Sequence, residues 1–464
     1  MPEQLLLLEL NEINLESIAF YCERGLLPNF RELLTKHGWT TTSSETRYRD
    51  IEPWIQWVTA HTGMTLAEHQ VFRLGDIVRH DLTQIWEALE QLGLRVGAIS
   101  PMNAKHRLKS PAFFMPDLWT RTELTVGPRL RGLYEAISQA VNDNSHARLS
   151  FRSAAQLLLG LLSFARPKNY ATYLRLVASA QRAPWRRALF LDLLLADVFI
   201  AEVARATPDF ASLFVNAGAH IQHHYLYSAA CYQGPHRNPE WYLRPNIDPI
   251  LEAYALYDRI VGSVRAAFPR ARLMIATGLH QVPHGEVTYY WRLRDHARFL
   301  RRLGVPFVSV EPRMSRDFLV VCESSAEAAI AAQKLGAAAA ADGTPLFEVD
   351  NRGTDLFVML TYPGEIGPRF VCHIGANEYT MSGEDVAFVA LKNGEHSGVG
   401  YFLDTGKHLE PLQDGFELKN LPQRIKTALG LDGAAVSETP GDPAPTQPTS
   451  LALRSAMSGD EYWR

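Results

Sequence analysis

Four apolar runs of strand length, "QLLLLEL", "RVGAISPM", "ASLFVNAG" and "ARLMIAT", punctuate the chain with helical segments between them. Short runs of this kind read as strands buried on both faces. The helical segments include "LESIAFYCERG", closed by Gly25, "LPNFRELLTKHG", closed by Gly38, and the amphipathic "HDLTQIWEALEQLGL". Such β-α-β order implies an α/β fold built on a mostly parallel, doubly wound sheet covered by helices on both sides.

A chain of 464 residues is too long for one simple core. Residues 1–121 read as the first part of the sheet and 122–205, where only helix-period segments occur, as a helical insertion. Residues 206–304 return to the sheet. A small α+β cap is expected over 305–392, with strands in "VPFVSV", "DFLVVCE", "PLFEVD" and "DLFVMLTYP" and a helix through "SAEAAIAAQKLGAAAAA". The last part of the sheet covers 393–433, beginning near "GVGYFLDTG", and 434–464, rich in turn formers, is expected to be disordered.

Hydrophobic residues make up 47% of the chain and charged residues 21%, as in a soluble globular protein. A net charge of -4 gives no electrostatic case for a nucleic-acid partner. Cys22, Cys231, Cys322 and Cys372 are far apart, which reads as buried thiols in a reducing compartment rather than a disulfide framework. The first strand starts almost at the N-terminus without a leader, and the longest apolar helical stretch, "AAQLLLGLLSFA", is shorter than the ~20 residues a membrane span needs. A cytoplasmic location with no transmembrane segment is expected.

The first strand ends in "ELNEIN", Glu9 to Asn14. α/β enzymes keep their ligands at such strand ends. The stretches "ERGLLPNFRELL", "PWIQWVTAHTGMTLAEHQVF", "LGLRVGAISPMNA", "PDFASLFVNAGAHIQHHYLY", "DPILEAYALYDRIVGSVRAAFPRARLMIATG" and "NGEHSGVGYFLDTG" follow one another along the chain. Together, and in this order, they resemble the alkaline phosphatase superfamily, above all its type I phosphodiesterase/nucleotide pyrophosphatase branch. The collinear series carries the resemblance, not any one stretch.

That resemblance implies two divalent metals at the strand ends with a Thr or Ser nucleophile between them, because paired cations activate the nucleophile and neutralise charge in phosphoryl transfer. Most of the corresponding positions are altered. The first-strand Asp corresponds to Asn11, a poorer ligand. The Asp of the next motif falls on Ala219, with His223 kept; the following Asp-His pair falls on Gly278-Leu279, with His280 one place on; the last His is kept as His396. The nucleophile position falls on Pro53 when counted from Gly63, or on Asp50 when aligned on Trp54, with Glu52 adjacent.

The implied remnant is a site for one divalent metal, zinc or manganese, or for none. His223 and His396 are expected at adjoining strand ends, with His220 or His280 as the further metal ligand, and Glu12 and Glu52 as ligand or general base. Glu9, if turned into the sheet interface, needs a partner. His61, His69 and His284 read as hydrogen-bonded structural residues, and Trp54 and Trp57 as core packing. Arg182, Arg186 and Arg187 around Trp185, with Arg129 and Arg131, read either as a solvated face or as a stripe meeting a lipid-linked substrate at a membrane.

Three functions fit. The first is a divergent phosphodiesterase- or phosphotransferase-like hydrolase acting on a small phosphorylated or sugar-phosphate substrate. The second is a non-catalytic relative that binds a phosphorylated ligand or a protein partner. The third is a metal-free enzyme using carboxylate/His acid-base chemistry.

Overall fold

The computed structural model describes residues 4–142, 151–312, 316–375, 377–406 and 415–431. The tail expected to be disordered, 434–464, lies outside these residues. The first strand, β1 (Leu5–Leu10), leads through α1 (Leu15–Glu23) and α2 (Pro28–His37) to β2 (Thr40–Ser43). Next come α3 (Pro53–Thr62), α4 (Leu66–His69), α5 (Ile85–Gln91), β3 (Val96–Ile99) and β4 (Phe113–Met115). Four helices intervene, α6 (Pro128–Asn142), α7 (Phe151–Phe164), α8 (Tyr170–Ser179) and α9 (Arg186–Ala206), before β5 (Phe210–Val215), α10 (Ala217–Tyr225), α11 (Pro249–Ala267) and β6 (Arg272–Ala276). The long β7 (His280–Leu293) then leaves the sheet towards α12 (His296–Arg302), β8 (Ser309–Pro312), β9 (Asp317–Val321), α13 (Ser325–Gly336) and β10 (Ala338–Ala340). After β11 (Phe347–Asn351), β12 (Asp355–Leu360), β13 (Phe370–Ile374) and β14 (Asn377–Met381), β15 (Val386–Ser397) returns to β16 (Val399–Asp404), β17 (Phe416–Glu417) and α14 (Leu421–Ala428).

The main sheet has the order β17-β2-β16-β6-β1-β5-β3-β4. All its pairings are parallel except the two made by β16. The unbroken leucines of β1 follow from burial on both faces. Leu6, Leu8 and Leu10 join the core under α1, α9 and α11, while Leu5 and Leu7 join the one under α3, α5 and α14. The protein is thus α/β with a mostly parallel sheet, as its strand and helix order implied.

A third core of Leu293, Phe299, Phe318, Ala328, Leu346 and Val358 holds the small unit between β7 and β15. Helix α13 starts at its Ser324 cap, whose hydroxyl accepts from Glu327 N, and stops at Gly336. The alanines beyond it, read from the sequence as more helix, form β10 against β13. Tertiary pairing overrides alanine's helix preference there. β7 and β15 form a two-stranded antiparallel ribbon, registered from Ser397 opposite His280 to Val386 opposite Leu293.

Candidate metal centre

Asn11 and Glu12 follow β1 and are stitched between its neighbours. Asn11 N–H donates to Val215 O at 3.1 Å and Glu12 N–H to Thr277 O at 3.0 Å, at the ends of β5 and β6. Glu12 has φ +60°, the left-handed region that non-glycine residues seldom occupy and that collects at functional sites. Helix α10 starts directly after β5 and carries His223, while the base of the ribbon brings in Gln281 and His396 as cross-strand partners. His223 therefore comes from a helix, not from the strand end expected for it.

These elements converge on one atom. Glu12 Oε2 lies 3.0 Å from His223 Nε2 and 3.1 Å from His396 Nε2, and the two Nε2 atoms are 3.2 Å apart. The same oxygen accepts from Gln281 Nε2 at 2.5 Å, and Oε1 accepts from Asn11 Nδ2 at 2.8 Å. Gln222 Nε2 donates to the Glu12 carbonyl at 2.8 Å and is itself fixed by Tyr254 OH, which donates to its Oε1 at 2.6 Å. The ribbon approaches α10 so closely at Gly394 that a Cβ there would stand 2.1 Å from Gln281 Oε1 and 3.0 Å from Gln222 O, and the Gln281 side chain would have to move.

The backbone sets the protonation of both rings. His396 Nδ1 faces Ile51 O at 2.9 Å and His223 Nδ1 faces Gly394 O at 3.4 Å. A carbonyl only accepts, so each Nδ1 keeps its hydrogen and, in the neutral ring, each Nε2 offers a lone pair to the centre. Two such lone pairs beside a carboxylate oxygen require a cation or shared protons among them. Burial alone would raise the Glu12 carboxyl; the charges of His396 and His223 and their hydrogen bonds instead hold it well below the usual carboxylate range. Burial lowers the His396 imidazole, but Glu12 and then Glu52 outweigh it, leaving a net upward shift.

The donor set fits a divalent metal. Ligating histidines commonly donate their other N–H to a backbone carbonyl, as both do here. The donor separations approach the edge of about 3.3 Å expected for a tetrahedron with bonds of ~2.0 Å. Glu12, His223 and His396 are the one such group of carboxylate, imidazole and thiol donors among the described residues.

Other expected ligands stand elsewhere. Asn11 is not aimed at the centre, since its Oδ1 accepts from Trp57 Nε1 at 2.7 Å and its amide donates to Glu12 and to Asn216 Oδ1. His280 hydrogen-bonds Val399 O through Nδ1, and His220 packs its ring 4.9 Å from that of His224. The carboxylate that meets the two Nε2 atoms is that of Glu12, and neither His220 nor His280 stands in this group. Glu52 stands at the N-cap position of α3 with its Oε2 3.5 Å from His396 Nδ1, whereas Asp50 pairs with Arg47 at 2.7 Å.

The remaining histidines have partners of their own. His61 pairs with Glu9 at 3.1 Å between Trp57 and Trp86 in the core, His69 meets Thr59, and His284 pairs with Glu395 at 2.7 Å. Sequence reasoning missed Gln281, Gln222 and Asn216, whose amides hold the carboxylate and its neighbours. The run "AHIQHH", with a glutamine among histidines, was the available signal for Gln222.

No protein-family model and no curated protein matches the chain. Among solved structures it is similar to phosphonoacetate hydrolase from Sinorhizobium meliloti in complex with phosphonoformate, at 11% identity over 92% of this chain and 96% of that one, TM-score 0.42. It is also similar to murine ectonucleotide pyrophosphatase/phosphodiesterase 5 in complex with AMP, at 10% identity over 94% and 97%, TM-score 0.44. A third is a TAB5 alkaline phosphatase mutant with magnesium bound, at 12% identity over 92% and 98%, TM-score 0.39. All three are alkaline phosphatase superfamily members. At such identities and TM-scores the likeness assigns no residue a role.

Proposed function

We propose that Glu12, His223 and His396 hold one divalent cation, zinc or manganese, and that the protein hydrolyses a small phosphate ester. The observation that supports it is the meeting of two Nε2 atoms, each on a ring whose Nδ1 faces a backbone carbonyl, at one carboxylate oxygen. The substrate class rests on the resemblance of the collinear segments quoted above. A cation held there would supply Lewis-acid polarisation of a phosphoryl oxygen and neutralise transition-state charge.

Gln281 and Asn11 hold the Glu12 carboxylate in place, and Glu52 steadies His396 from its Nδ1 side. In this reading the attacking group is water: its oxygen bonds to phosphorus and gives up a proton, the ester P–O bond breaks, and the alcohol leaves with a proton. Asp50, tied to Arg47, takes no part in this reading.

A second reading, a non-catalytic relative that binds a phosphorylated or sugar-phosphate ligand, is favoured by burial. The side chains of Glu12, His223 and His396 are only 3%, 5% and 8% exposed. Elemental mass spectrometry of the purified protein, before and after dialysis against zinc or manganese, tests both. About one metal per chain, lost in His223→Ala, together with turnover of phosphodiesters or phosphomonoesters, supports the hydrolase. A folded protein that takes up no metal under either condition ends that reading and leaves ligand binding.

A further inference from the structure

We propose that the outer faces of α7 and α8 are a docking surface for a phospholipid bilayer of anionic composition. This inference stands apart from the metal centre. Among the described residues, Leu158, Leu159 and Leu162 on α7 and Tyr170, Leu174 and Val177 on α8 are 47–72% exposed. Six of the fifteen exposed large apolar side chains thus fall within twenty residues of sequence. Scattered apolar residues on a surface are ordinary; this concentration along two consecutive helices is not. On α8 the spacing 170, 174, 177 lines one helical face, and the buried Thr172, Tyr173 and Leu176 lie on another.

Charge names the occupant. From residue 151 to 191 the chain has Arg152, Arg166, Lys168, Arg175, Arg182, Arg186 and Arg187 and no Asp or Glu, although its net charge is -4. Carboxylates from neighbouring elements also meet this edge, among them the exposed Glu135 on α6, which packs against α7. Glu252 on α11 binds Arg186, with Arg186 Nε donating to Oε2 at 2.9 Å, and Asp197 on α9 is buried, accepting from Arg166 N, Asn169 and Tyr173. Arg259 adds a further cation, donating to Thr172 Oγ1 at 2.8 Å.

Exposed leucines and Tyr170 set among a surplus of basic residues match an interface that is apolar below and anionic at its headgroups. A second copy of the chain is disfavoured on this face, since the surplus of like cations would meet its own image. An open groove of about 570 Å³ between α6 and α7, lined by Arg129, Gly132, Gln156, Leu159 and Leu162, offers room for part of a lipid beside the same leucines. Of the arginine stripe read from the sequence, Arg186 is thus occupied internally, while Arg182 and Arg187 remain at the surface.

Co-sedimentation of the full chain with phosphatidylcholine vesicles, with and without phosphatidylserine, tests the proposal. Binding is expected to the anionic vesicles at low salt, to weaken as salt rises, and to be absent from pure phosphatidylcholine. Leu159→Ser with Leu162→Ser and Leu174→Ser should abolish it. Lys168→Gln with Arg175→Gln and Arg182→Gln should lower partition by about 100-fold, roughly fivefold per charge. These side chains are exposed, and circular dichroism checks that both variants keep their helices. Three results would overturn the proposal: no sedimentation of the parent protein with anionic vesicles, unchanged sedimentation of both variants, or a leucine-dependent dimer that ignores vesicles.

Discussion

Replacing Gly394 by alanine perturbs the centre without touching a proposed ligand. The new Cβ would lie 2.1 Å from Gln281 Oε1 and 3.0 Å from the Gln222 carbonyl, and the carbonyl belongs to a packed helix, so the Gln281 side chain has to swing away. It would then lose its donation to the Glu12 carboxylate and its 3.0 Å bond to Ala219 O. A hydrogen bond to a charged group contributes about 1.5–3 kcal/mol and a neutral one about 1 kcal/mol. Adding a displaced rotamer at about 1 kcal/mol gives a destabilisation of about 3–5 kcal/mol. Urea unfolding at neutral pH measures it. Gly367→Ala, where an added Cβ meets nothing within 4 Å, is the control and should stay within about 0.5 kcal/mol of the parent. If Gly394→Ala unfolds like that control, the close approach of ribbon and α10 is not what positions Gln281.

His69 accepts from Val71 N–H through Nδ1 at 3.0 Å, and burial, followed by the charge of His80, lowers it to about 4. The unfolded chain therefore binds the proton more readily, so stability should fall by up to about 3 kcal/mol as pH drops from 6.5 to 4; a His69→Gln variant that keeps the same slope over this window, in unfolding curves taken at several pH values, would contradict the assignment. Gly336 ends α13 with open space at its Cβ position, so Gly336→Ala should raise stability by about 0.5–1 kcal/mol in thermal or urea unfolding, and a loss would show that the turn into β10 needs glycine. Trp86 is fully buried and donates to Ser212 Oγ at 3.2 Å; Trp86→Ala should cost about 3–5 kcal/mol by the same measurement, and a cost near zero would mean that the face under α5 repacks freely.

The main sheet was legible because β1, β3, β5 and β6 are apolar runs flanked by turn formers. β2, the polar Thr40–Ser43, and the three-residue β4 carry no such signal and exist through pairing with neighbours. At the centre, Glu12, His223 and His396 were legible by residue type and by the resemblance. The choice between His280 and Gln281 was not, because strand register decides it. Neighbouring strand residues face opposite sides, and at the start of β7 it is Gln281 that reaches Glu12, while His280 turns to Tyr401 and Val399. On α10 the one-turn spacing of His220 and His224 pairs their rings with each other, and His223 meets the carboxylate.

The ribbon also has a consequence for the order of assembly. Its two strands enter and leave the small unit side by side, with Leu293 opposite Val386 and Arg294 N–H donating to Asp385 O at 2.8 Å. In a nascent chain, bringing those ends together means closing everything from Arg294 to Asp385 into a loop, an entropic cost of about 4 kcal/mol. A small unit that has already collapsed around Phe318 and Val358 delivers the two ends as neighbours and removes most of that cost. On that order Gln281 and His396 come into register towards Glu12 last, at the far end of the ribbon, and the three-donor cluster is expected to form late in folding.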